Sequence, residues 1–160
     1  MEIIEEYLKL SSNYKDEYIE NNASIDINNI TSKNLYENVC YDVDIVLMAL
    51  NISPSKVGYK YWKDAVFLYL LMSEKQPSIC KDIYPAIGKK YSKTPTAIER
   101  AMRICFENVM YYLSKSKTTF ISDYLKSSLL YPHNGELLIK ITKFISTKEF
   151  QKNKLSCFNI

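Results

Sequence analysis

At 160 residues with 47% hydrophobic content, the chain can bury one ordinary core, which excludes disorder throughout. The net charge of +3 hides an asymmetry: residues 1–50 hold ten Asp/Glu against three Lys/Arg, and residues 51–160 hold eight against eighteen. Three glycines and five prolines are few for a many-turned β fold, and apolar residues recur three and four apart, so the fold class read is all-α.

Residues 3–19 place Ile3, Ile4, Tyr7, Leu8, Tyr14, Tyr18 and Ile19 on one side at helical spacing, with Glu2, Glu5 and Glu6 near the positive end of the helix dipole. This predicts an amphipathic N-terminal helix. Asn21 to Asn34 is rich in Asn, Ser and Asp and reads as a polar linker, so the first unit is residues 1–34 and the main domain residues 35–150. From Leu35 to Leu50 an apolar stripe resumes and ends at Asn51 and the Ser53-Pro54 step. Gly58 reads as a break. The next helix, Tyr59 to Ser73, is apolar nearly all round and is expected at the centre of the core.

Ser78 to Tyr91 reads as a helix capped by Ser78, in which Pro85 must kink the axis or shift the start. After a turn over Ser92 to Pro95, two start signals overlap: Thr94 before Pro95, and Thr96-x-x-Glu99 as a capping box. Together these elements form a helix-turn-helix over residues 78–114. Two further helices are expected near Thr119 to Lys126 and, after Pro132 with Asn134 as cap, near Gly135 to Ser146, followed by a tail over residues 151–160.

On a wheel of about 100° per residue, Ile98, Ala101, Met102, Cys105, Val109, Tyr112 and Leu113 share the core face. Thr96, Arg100, Arg103 and Glu107 oppose them. The first turns of such a helix deliver base contacts, and the planar fork of arginine suits the O6/N7 edge of guanine, worth about 1–3 kcal/mol of discrimination. The alternative is a solvated face on which Arg100 and Arg103 pair with Glu99 or Glu107, worth about 0.2–0.5 kcal/mol per pair.

Other chemistries find little support. Cys40, Cys80, Cys105 and Cys157 lie at scattered spacings beside a single histidine, His133, which leaves no zinc site and no hydrolase triad. Gly58, Gly88 and Gly135 stand alone, so there is no phosphate-cradling loop, no cofactor is expected, and the chain reads as a non-enzyme. No apolar run is long enough to span a bilayer, and a cytosolic protein is expected.

From Asp42 to Ser146 the chain resembles the C-terminal DNA-binding effector domain of the stage-zero sporulation response regulators. The resemblance is carried by Gly58-Tyr59-x-Tyr61 with Asp64-Ala65, by Tyr84-Pro85-x-Ile87-x-Lys89-Lys90-Tyr91, by Thr94-x-Thr96-x-Ile98-Glu99-Arg100-Ala101-Met102-Arg103, and by Pro132-x-Asn134-x-Glu136 with Ile139. It implies a six-helix domain that inserts the second motif helix into the major groove, often as paired copies along duplex DNA. It also implies that Glu99, Arg100 and Arg103 read bases and that Lys89, Lys90, Thr94 and Thr96 lie near phosphates.

Two departures matter. Where the family commonly has an operator-reading arginine, this chain has Ala97, which should relax or redirect specificity without removing phosphate-driven affinity. The residues before the domain are also too few for the family's receiver of about 120 residues, so phosphorylation control is not expected. The leading expectation is thus a DNA-binding transcriptional regulator of the bacterial cytosol. The alternative is an interaction or antagonist module that keeps the fold and engages a protein partner through residues 1–30. The N-terminal stripe either packs back on the domain or pairs with a second copy.

Overall fold

The computed structural model describes residues 32–117 and 119–154; the helix expected over residues 3–19 lies outside the described residues. Eight α-helices follow in order: α1 Ser32–Ala49, α2 Val57–Met72, α3 Tyr84–Tyr91, α4 Pro95–Phe106, α5 Val109–Leu113, α6 Phe120–Leu130, α7 Asn134–Ser146 and α8 Lys148–Asn153. There is no strand among the described residues. Six of the helices have eight residues or more, matching the all-α, six-helix expectation, with α5 and α8 as short additions.

The centre is α2, as its apolar circumference predicts. Trp62, Ala65, Val66, Leu70 and Leu71 are fully buried, and α1, α3, α4 and α7 all pack against it. Gly58 is not a break but an inner residue of this helix, where the backbone of α4 runs against it. A Cβ there would stand 2.0 Å from the Ala101 carbonyl oxygen, so only glycine permits the approach.

Both drawn boundaries cut through helices. The linker boundary at residue 34 falls inside α1, which begins at Ser32. The tail boundary at residue 150 falls inside α8, where the Thr147 hydroxyl accepts from the Phe150 amide at 3.2 Å and Phe150 is fully buried. Beyond it, Gln151 Nε2 and Lys154 Nζ donate to the buried Asp42 carboxylate at 2.8 and 3.0 Å, tying the end of the domain to α1. The sequence offered no periodic signal for so short a helix.

Pro85 is accommodated by a widened turn. Over Ile79–Ile83 the backbone bonds five residues back, with the Ile83 amide on the Ser78 carbonyl at 3.3 Å, so Pro85 falls in the first turn of α3, where no amide donor is needed. Ser78 caps this segment as expected, its hydroxyl accepting from Lys81 and its amide donating to Asp82 Oδ2 at 2.7 Å. α6 is longer than expected and starts with a reciprocal cap between Thr119 and Ser122.

Gly58→Ala is expected to force α4 outward and to destabilise the domain by about 1–3 kcal/mol or more, read as a lower urea midpoint. An unchanged midpoint would contradict the close packing of α2 on α4.

Candidate nucleic-acid interface

The helix-turn-helix is built from α3, a sharp turn and α4. α3 ends at Ser92 in the left-handed conformation (φ 53°), with the Lys93 amide donating to the Gly88 carbonyl at 2.9 Å. The turn lies so close on α3 that a Cβ on Gly88 would stand 2.5 Å from the Lys93 oxygen. Of the two predicted start signals for α4, only the first is used: the Thr94 hydroxyl accepts from the Ala97 amide at 3.2 Å, and Pro95 opens the helix. The Thr96–Glu99 box does not form, because Thr96 lies inside the first turn and the Glu99 carboxylate turns to Arg103.

The predicted core face of α4 holds as far as the helix does. Ile98, Met102 and Cys105 are fully buried, and Phe106 stacks edge-on against Trp62 at 4.9 Å. The helix then stops at Phe106, since Glu107 is extended and Asn108 left-handed (φ 64°). α5 starts a new axis. The single helix expected through residue 114 is thus corrected, and so is Tyr112, which is half exposed rather than core. Glu107 remains exposed but belongs to the break rather than to the helix face.

Three side chains grip carbonyls of α4 from outside it. Trp62 Nε1 donates to the Met102 carbonyl at 2.9 Å, Asn134 Nδ2 to the Glu99 carbonyl at 3.1 Å, and Lys56 Nζ to the Ile104 carbonyl at 3.2 Å. A carbonyl has two lone pairs, so an external bond need not displace one within the helix; the Ile104 carbonyl, at the helix end, also accepts from the Glu107 amide at 3.3 Å. Asn134 was expected to cap α7; instead it lies within that helix's first turn, with its amide also donating to the buried Tyr84 hydroxyl at 2.9 Å. Burial raises the Tyr84 pKa, partly offset by that bond. None of these three positioning roles was read from the sequence, because each partner lies at least 35 residues away.

The outer face of α4 carries Thr96, Ala97, Arg100 and Arg103, all exposed. Arg103 Nε pairs with Glu99 Oε1 at 3.2 Å, one helical turn apart and open to solvent. Such a pair contributes about 0.3–0.5 kcal/mol, so it yields readily to a stronger partner. Lys89 is exposed at the end of α3, and Lys93, which the sequence reading did not single out, is exposed in the turn.

Lys90 is directed elsewhere. Its ammonium sits 3.0 Å from both oxygens of Asp64, whose side chain is only 5% exposed, and the Tyr36 hydroxyl donates to the same carboxylate at 2.5 Å. Burial and the Asp64 charge together hold the Tyr36 pKa well above the usual phenol range, and Tyr91 is raised for the same two reasons. Lys90 therefore answers a charge in the α1–α2–α3 core. Inside α4, burial pushes the Cys105 thiol up to about 11, which keeps it protonated and inert near neutral pH. Among the described residues no His/Cys/Asp/Glu group can hold a metal ion, and no helix is long and apolar enough to cross a membrane.

Lys90→Ala leaves Asp64 buried without its cation and is expected to cost about 1–3 kcal/mol, less than a fully buried pair because the lysine side chain is 39% exposed. Asn134→Ala strands the Tyr84 hydroxyl and should cost about 1–3 kcal/mol. In parallel urea titrations Lys89→Ala should leave the midpoint where it is; equal effects at Lys89 and Lys90 would contradict the assignment.

The family model described as sporulation initiation factor Spo0A C terminal matches residues 43–145, against the resemblance read over residues 42–146. No solved structure matches the chain. The match covers α2, α3, α4 and the start of α7 with the residues that carry the resemblance, and spans well over half of the sequence. This chain therefore belongs to the C-terminal family of the sporulation initiation factor Spo0A, a family of DNA-binding effector domains and not one of known enzymes.

Proposed function

We propose that the protein is a sequence-specific transcriptional regulator of the bacterial cytosol that binds duplex DNA through α4, as paired copies along the DNA. The observation that carries this reading is the exposed Arg100–Arg103 face of a helix whose inner carbonyls are clamped by Trp62 and Asn134. Arg100 and Arg103 read guanine edges from this face, and Glu99, released from Arg103, accepts from a cytosine amine. Lys89, Thr94 and Thr96 lie along the phosphates, joined by Lys93 in the turn. Lys90 is left out of this set because Asp64 already holds its ammonium. No phosphoacceptor is assigned within these 160 residues.

A bidentate arginine–guanine contact is worth about 1–3 kcal/mol, several times the exposed Arg103–Glu99 pair, so exchange of partners is favourable at the right base. Ala97 supports a second reading. A methyl group on this face makes no hydrogen bond to a base, and an antagonist that keeps the fold while losing the operator would need such a loss.

Anisotropy titrations with a duplex selected by the protein from a random pool, and with a scrambled duplex, separate the two. On the selected duplex Arg103→Ala and Arg100→Ala should each cost about 1–3 kcal/mol and shrink the preference over the scrambled one. Lys89→Ala should weaken both alike and lower the salt slope by about 1. Absence of binding to any duplex near 50 mM salt, or an unchanged preference in both arginine variants, would sink the regulator reading.

A further inference from the structure

A groove of 730 Å³ lies between the second half of α1 and the start of α2, and the DNA-reading face makes no use of it. Its walls carry three apolar side chains left open to solvent: Tyr41 (49% exposed), Met48 (48%) and Val57 (62%). Removing side chains of this size from water is favourable, so an apolar occupant would gain from covering them. The Tyr59 hydroxyl is buried in the same wall, with the Asp44 carboxylate nearby. The rim is basic: Lys56, Lys60 and Lys63 face one carboxylate, Asp44, which pairs with Lys63 at 3.2 Å.

The chain supplies a ligand with the opposite charge. Residues 1–31 hold seven Asp/Glu against two Lys, and within them Ile4 and Leu8 fall one helical turn apart on an apolar stripe flanked by Glu2, Glu5 and Glu6. Reach is sufficient. Along α1, Met48 lies about 24 Å from Ser32, and residues 21–31 can span about 36 Å when extended. A tether of that length gives an effective concentration in the millimolar range, which favours the chain's own segment over that of a second copy.

We propose that the acidic amphipathic segment over residues 3–19 docks in this groove of its own chain, with Ile4 and Leu8 covering Tyr41, Met48 and Val57 and its carboxylates meeting Lys56 and Lys60. The groove lies away from the exposed Arg100–Arg103 face and meets α4 only through Lys56, which also donates to the Ile104 carbonyl at 3.2 Å.

The test places photo-reactive p-benzoylphenylalanine at Met48 of the full chain and, in a separate variant, at Val57, so that a folding failure at one position does not decide the outcome. Irradiation of an equal mixture of unlabelled and 15N-labelled protein should give cross-links to peptides from residues 1–20 within one isotopic species. Their yield should fall about tenfold or more in Ile4→Glu/Leu8→Glu, because each substitution removes a buried apolar contact. Cross-links that join the two isotopic species, that go elsewhere or fail to form at both positions, or that survive the double substitution would overturn the proposal.

Discussion

The reading face depends on how the backbone of α4 is seated on α2. Gly58 lets the Ala101 carbonyl come within a distance that no side chain would permit, and Trp62 bonds the Met102 carbonyl one residue further on. Asn134 and Lys56 hold the Glu99 and Ile104 carbonyls on either side. A helix held by backbone atoms at four successive places can neither rotate nor slide without losing all of them. A rotation by one residue, about 100°, would carry Arg100 and Arg103 off the outer face. The orientation of the outer face is therefore fixed from inside.

Two ion pairs near that surface differ in kind. Arg103–Glu99 is open to solvent and sits within one helix, so it is weak and exchangeable, as the proposed contact to a base would require. Lys90–Asp64 joins α3 to α2 around a carboxylate almost without exposure, and the same carboxylate receives the Tyr36 hydroxyl from α1. Removing one partner there leaves a buried charge unanswered. The first anchors nothing, while the second fixes α3, and with it the turn that sets the start of α4.

The parts of this arrangement that depend on local sequence were legible in advance. Thr94-Pro95 gives the start of α4, and the apolar spacing from Ile98 to Cys105 gives its inner face. Past Phe106 the wheel still placed Val109 and Leu113 in the core but misplaced Tyr112, because it assumed an unbroken helix, whereas Asn108 takes a left-handed conformation that asparagine tolerates at low cost and periodicity cannot reveal. Gly58 was misread since a lone glycine marks either a break or a close approach, and only the position of α4 decides between them. Asn134 was read as a helix cap and Lys90 as a phosphate-contacting cation. Their partners, Glu99 and Asp64, lie 35 and 26 residues away and are brought near only by the fold.

The central claim is that DNA meets the outer face of α4 in the orientation its clamped backbone dictates. Amide NMR mapping of the full chain, titrated with the duplex it selects, tests this most directly. The account predicts that the largest shifts fall over Lys89 and Lys93 to Ile104, while α6 and the α7–α8 end stay unchanged. Shifts centred on α6, or spread evenly with no maximum at Arg100 and Arg103, would contradict it.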